Sequence, residues 1–154
     1  MNLDIEALPD DSLLPRDTRR SLPISLLRAR DAVMARFRPI LAARDVSEQQ
    51  WRVLRVLAEA GPLDATEVAE RACLLAPSLT RIMRSLEERR FITRDRDTGD
   101  GRRVRLAISA AGIAFINEVA PASKQLYSEI EARFGKERID KLLDMLNELA
   151  ILKL

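Results

Sequence analysis

A chain of 154 residues, 47% of them apolar, with five glycines, one cysteine and a formal net charge of +2, is long enough to bury a core as one domain with or without arms. The absence of histidine excludes a His-based acid/base, triad or metal site, and a single thiol excludes an internal disulfide. No apolar run approaches the roughly 20 residues of a membrane span, nor does the start of the chain read as a secretory leader. A cytoplasmic protein with no membrane partner and no cofactor is expected. The remaining carboxylates, lysines and the thiol form no clustered constellation, so an enzyme is not expected.

Residues 1–21 combine Pro9 and Pro15 with Asp4, Glu6, Asp10 and Asp11 and show no apolar period, which reads as an N-terminal arm. A first helix is predicted over about residues 22–43, with Leu22, Leu26, Ala29, Val33, Phe37, Ile40 and Leu41 as its apolar stripe and Pro39 placed to kink its end. Ser47 starts a second helix with Gln50 at the capping-box position; it carries Trp51, Leu54, Leu57 and Ala58 and stops near Gly61-Pro62. Asp64 and Glu67 repeat the box for a short third helix over about residues 65–73. Cys73, at the end of this apolar helix, reads as a buried, inert thiol. Pro77 suits a first helical position, and a fourth helix follows to about Arg90. Residues 91–96 and 102–108 flank the turn Asp97-Thr98-Gly99-Asp100-Gly101 as a β-hairpin, the only sheet-forming material of any size. Ser109 caps a fifth helix to about Phe134, interrupted at Pro121. Gly135 separates it from a last helix over about residues 136–152.

The fold class is therefore mainly α with a small β-hairpin: a winged helix-turn-helix lobe at 47–108, with 22–46 and 109–154 as a helical dimerisation region. In the fourth helix, Leu79, Ile82, Met83 and Leu86 share one side at 100° per residue, and Ser78, Arg81, Arg84 and Ser85 the other, with Thr80 flanking. An apolar back and a face of hydroxyls and arginines suit a helix in the major groove; an ordinary amphipathic surface helix is the alternative. Residues 76–105 hold nine arginines against five carboxylates, which marks either a phosphate-binding surface or a solvated charged face. Five of those arginines lie in the hairpin, including Arg102 and Arg103. A wing of this kind can lie along the minor groove, with Asp100 either orienting Arg102 or stabilising the turn. The seam Ile139, Leu142, Leu143, Leu146, Leu149 and Leu152 calls for burial in a helical dimer, or in a closed monomeric core. Arg30 interrupts the apolar stripe of the first helix, so it needs an anion: a protein carboxylate, or the carboxylate of a small ligand held bidentately, unless it snorkels to solvent.

This helix order, with Asp100-Gly101-Arg102 at the wing, resembles the MarR family of bacterial regulators over about residues 22–150. Three stretches are most similar to the branch that governs homoprotocatechuate (4-hydroxyphenylacetate) degradation: Leu26-Leu27-Arg28-Ala29-Arg30 with Phe37-Arg38-Pro39-Ile40, then Glu48-Gln49-Gln50-Trp51-Arg52, then residues 71–80, Arg71-Ala72-Cys73-Leu74-Leu75-Ala76-Pro77-Ser78-Leu79-Thr80. The resemblance implies an obligate homodimer on a pseudo-palindromic DNA operator, usually as a repressor. It also implies release by small, often phenolic, carboxylates bound between the dimerisation helices and the DNA-binding lobe. Asp100 and Arg102 carry over as the wing-tip pair, and Ser78, Thr80, Arg81 and Arg84 as recognition-helix contacts; Ser85 and Arg103 extend that DNA-binding set. For the effector, Arg30 is the expected carboxylate partner and Phe37 and Trp51 the ring contacts, with Ser25 and Arg52 as further candidates. The redox branch of the family has a sensing cysteine near the start of the first helix, and this chain has none there. The competing reading is a winged-helix module that binds another protein without specific operator binding.

Overall fold

The computed structural model describes residues 17–96, 99 and 103–153. Residues 1–16 of the expected arm, and Asp97, Thr98, Asp100, Gly101 and Arg102 of the hairpin turn, lie outside the described residues. The chain divides into two compact units between Phe37 and Arg38, and each is taken by itself.

The first unit contains a 3-10 turn, Thr18–Arg20, and most of helix α1, Leu22–Ala42. The Asp17 carboxylate caps the turn, accepting from the Arg19 backbone N–H at 2.9 Å and from its guanidinium at 3.0 Å. The Arg19 side chain thereby holds the Asp17 carboxyl below the ordinary carboxylate range. Of the expected stripe, Phe37 is buried, whereas Leu22, Leu26 and Val33 are exposed, as is Leu27.

In the second unit the local signals act where the sequence places them. Ser47 and Gln50 close a full capping box on α2, Glu48–Ala60, and Asp64 and Glu67 close another on α3, Ala65–Arg71. Each box satisfies backbone N–H groups that have no partner inside the helix. Helix α4 spans Ala76–Glu88 with Pro77 in its first turn. Three strands follow one another in space as β1-β3-β2, all antiparallel: β1 is Leu63–Asp64, β2 Ile92–Arg96 and β3 Val104–Ile108. The hairpin is therefore not the only sheet material. Leu63 pairs with Leu106 and Asp64 with Arg105, so the residue that caps α3 also anchors it to the sheet. Val53, Leu54, Leu57, Val68, Leu86 and Leu106 are fully buried at the centre of the core.

Helix α5, Ala110–Phe134, runs without a break through Pro121, against the expected interruption. Proline removes one N–H, so the Asn117 carbonyl loses its helical donor; burial of Phe115 and Val119 before it and Leu126 after it holds both halves in one helix. The start of α5 lies close against the chain before β2: a Cβ on Gly112 would clash with the Phe91 carbonyl oxygen. Gly135, at φ 100°, ends α5 and leads into α6, Lys136–Ala150. No helix among the described residues is long and apolar enough to cross a membrane.

Cys73 is exposed, not the buried thiol the sequence suggests. Helix α3 ends at Arg71, and it is Ala72 that turns into the core, at 2% exposure. Cys73 then takes the left-handed backbone conformation, φ 53°, in the turn to α4. That conformation costs an L residue roughly 1–2 kcal/mol that glycine avoids, less glycine's greater entropy when unfolded. Cys73→Gly is expected to leave stability unchanged or raise it by up to about 1 kcal/mol. Urea denaturation checks this; a loss of more than that would mean the thiol makes a stabilising contact.

Candidate nucleic-acid interface

Helix α4 presents two unlike sides. Leu79, Ile82, Met83 and Leu86 are buried, while Pro77, Thr80, Arg81 and Arg84, at i, i+3, i+4 and i+7, are exposed and form one outward stripe. Ser78 is half-buried. Ser85, grouped by sequence with the outward residues, is half-buried and its hydroxyl accepts a 2.8 Å hydrogen bond from Gln50 Nε2 of α2. The structure thus gathers Thr80, Arg81 and Arg84 on the solvent side and commits the Ser85 hydroxyl to seating the helix.

Three arginines fix what surrounds that helix. Arg52 of α2 donates to the Cys73 carbonyl at 3.2 Å, and its Nε is buried without a hydrogen-bond partner; it braces the turn that leads into α4. Arg94 of β2 pairs with Glu87 of α4 at 2.6 Å, tying the wing to the last turn of the helix. Arg89, just past α4, donates to the backbone carbonyls of Arg44, at 3.1 Å, and Asp45. Its guanidinium lies 4.7 Å from the Phe91 ring centroid and 5.9 Å from that of Phe115. These bracing roles show no period along the chain, and sequence reasoning missed them.

On the wing, Arg94, Arg96, Arg103 and Arg105 are exposed, as is Asp95. Asp100 and Arg102, the expected wing-tip pair, lie outside the described residues.

The expected effector residues fall in different places. Ser25, Arg30 and Phe37 belong to the first unit: the Ser25 hydroxyl donates to the Arg19 carbonyl at 2.9 Å, Arg30 is exposed, and Phe37 is buried. Trp51 and Arg52 belong to the second, and of the two only Trp51 lines one of its cavities, a space of about 370 Å³. Trp51 and Arg55 of α2 form one wall; Lys124, Tyr127 and Ser128 of α5 form the other, with Glu131 at one side. The Trp51 ring is set edge-on to Phe115, with centroids 6.3 Å apart. Two aromatic rings and two cations thus face a space with one carboxylate. Arg55, Lys124 and Tyr127, which line this cavity, were not singled out in the sequence, because their i, i+3 and i, i+4 spacing is that of any solvated helix face.

The capped helix pair, the outward basic helix and the braced hairpin define a winged helix-turn-helix protein. The MarR family model matches residues 46–104. The transcriptional regulator FarR of Neisseria gonorrhoeae is 41% identical over 130 residues, covering 84% of this chain and 89% of FarR. The homoprotocatechuate degradative operon repressor of Escherichia coli is 38% identical over 128 residues, 83% of this chain and 86% of that protein. The crystal structure of NadR in complex with 4-hydroxyphenylacetate superposes with a TM-score of 0.82 at 38% identity, over 95% of this chain and 100% of that one. The chain belongs to the MarR family.

Proposed function

We propose that the chain is a homodimeric repressor that binds a pseudo-palindromic operator of an aromatic-acid catabolic operon and releases it on binding a small phenolic carboxylate. Thr80, Arg81, Arg84 and Ser78 of α4 read the major groove. Arg102 and Arg103 of the wing contact the flanks, with Asp100 orienting Arg102. The helical regions 22–46 and 109–154 supply the dimer interface. The observation that carries the effector is the cavity between α2 and α5. Trp51 and Tyr127 offer ring surfaces, and Arg55 and Lys124 offer charge-assisted hydrogen bonds to a carboxylate. The repressor and NadR similarities point to the same ligand class, since those two are named with homoprotocatechuate degradation and 4-hydroxyphenylacetate.

Derepression requires that the ligand bind the non-operator conformation more tightly; equal affinity for both would shift nothing. Calorimetry with 4-hydroxyphenylacetate is expected to show binding to the wild type that Arg55→Ala weakens by at least about tenfold, one charge-assisted bond being worth roughly 1.5–3 kcal/mol. The ligand is expected to release operator DNA in a mobility shift. Arg30→Ala is measured in parallel: weakened binding assigns Arg30 to the carboxylate, and unchanged binding assigns it to ion pairing within the protein. Failure of every aromatic acid to bind the wild type would remove the effector reading and leave the DNA-binding one standing.

A further inference from the structure

Helix α4 begins in an unusual way for a surface helix. Its N-cap residue, Leu75, makes no side-chain cap, although its carbonyl accepts from the Ser78 and Leu79 N–H groups, both at 3.1 Å. A Ser or Asp here would stabilise the helix by about 1 kcal/mol, as Ser47 and Asp64 do for the two helices before it. The Leu75 side chain is instead 77% exposed, and Ala76 and Pro77 beside it are exposed as well. An apolar tip therefore sits at the exposed N-terminal end of the helix, two residues before Pro77, the first member of the stripe that continues through Thr80, Arg81 and Arg84.

A helix that enters the major groove presents its N-terminal residues to the base edges. The one apolar group on those edges is the 5-methyl of thymine. We propose that Leu75 is a specificity-determining residue that packs against a thymine methyl in each operator half-site, so that part of the site is read by shape and burial and part by the arginines' hydrogen bonds. This rests on the DNA-binding reading above. The occupant follows from the neighbours: a partner with a polyanionic backbone satisfies Arg81 and Arg84 in the same encounter that covers Leu75. The uncapped Leu is then a stability sacrifice made for recognition.

The test uses the full-length protein and a duplex that it selects from a randomised library. Each thymine of the protected half-sites is replaced in turn by deoxyuridine, which removes only the methyl group. At one position per half-site, wild-type affinity is expected to fall about fourfold, the effect of one buried methyl-sized group. Leu75→Ala and Leu75→Ser are expected to bind the thymine duplex more weakly and to lose that sensitivity, binding thymine and deoxyuridine duplexes equally. Leu75→Ser adds a capping hydroxyl, so weaker binding with an unchanged or raised Tm separates recognition from folding. Uniform weakening of both variants with full deoxyuridine sensitivity retained would overturn the inference, as would wild-type indifference to every deoxyuridine. Failure to select any duplex would overturn the DNA-binding reading with it.

Discussion

Replacing Arg81 or Arg84 with alanine is expected to lower operator affinity by about 1–3 kcal/mol for each guanine no longer bonded, and to relax base preference at that position. Both side chains are exposed on a helix whose opposite side is buried, so truncation removes charge and reach without opening the core. Two effects separate in the measurement. Removing a phosphate partner weakens binding to all duplexes alike and reduces its salt dependence, whereas removing a base partner weakens the operator more than a scrambled duplex. Titrations of each variant against operator, point-mutated operators and scrambled DNA at two salt concentrations distinguish them. Full affinity and full selectivity in both variants would show that α4 is not the reading helix.

Leu142→Glu with Leu143→Glu is expected to give a monomer at micromolar concentration in sedimentation equilibrium. Leu142, Leu143 and Met145 of α6 are 37%, 52% and 59% exposed, and Leu22, Leu26 and Leu27 of α1 stand 56%, 39% and 61% exposed in the other unit. Burying one such side chain is worth roughly 1.5–3 kcal/mol, and a carboxylate in its place cannot be buried unpaired. Because the substituted positions are exposed, the fold of the chain is expected to survive, as circular dichroism would show. Operator affinity then falls by about 10²–10⁴, since the second half-site is no longer engaged as an intramolecular event. A dimer that persists in this variant would move the interface away from α6.

The parts of the fold that were legible in the sequence are those set by residues three or four apart. Ser47 with Gln50, Asp64 with Glu67, and Ser109 each fix a helix start through bonds within one turn. The buried face of α4 follows from the same spacing. Strand β1 was not legible, because two residues carry no alternation and Leu63 becomes a strand only through Leu106, far along the chain. Pro121 signals a break that packing of α5 overrides. Cys73 shows how a small difference in helix length decides burial. For the outward face of α4, the exposure of Thr80, Arg81 and Arg84 was legible from their period, whereas the commitment of Ser85 to Gln50 depends on how α2 crosses α4. The α2–α5 cavity was legible only through Trp51; the cations on its walls are spaced like any solvated helix face.

Arg89 has a consequence for how the molecule opens. One guanidinium holds the carbonyls of Arg44 and Asp45 while lying over Phe91 and near Phe115. On one side stands the turn after α1, where the Val46 N–H bonds to the Leu41 carbonyl; on the other stands the chain leaving α4, where the Phe91 N–H bonds to the Leu86 carbonyl. Fraying of either segment breaks the contacts that this side chain makes to the other. In native-state hydrogen exchange the two segments are therefore expected to behave as one foldon, with the Val46 and Phe91 amides showing the same opening free energy and Arg89→Ala lowering both together.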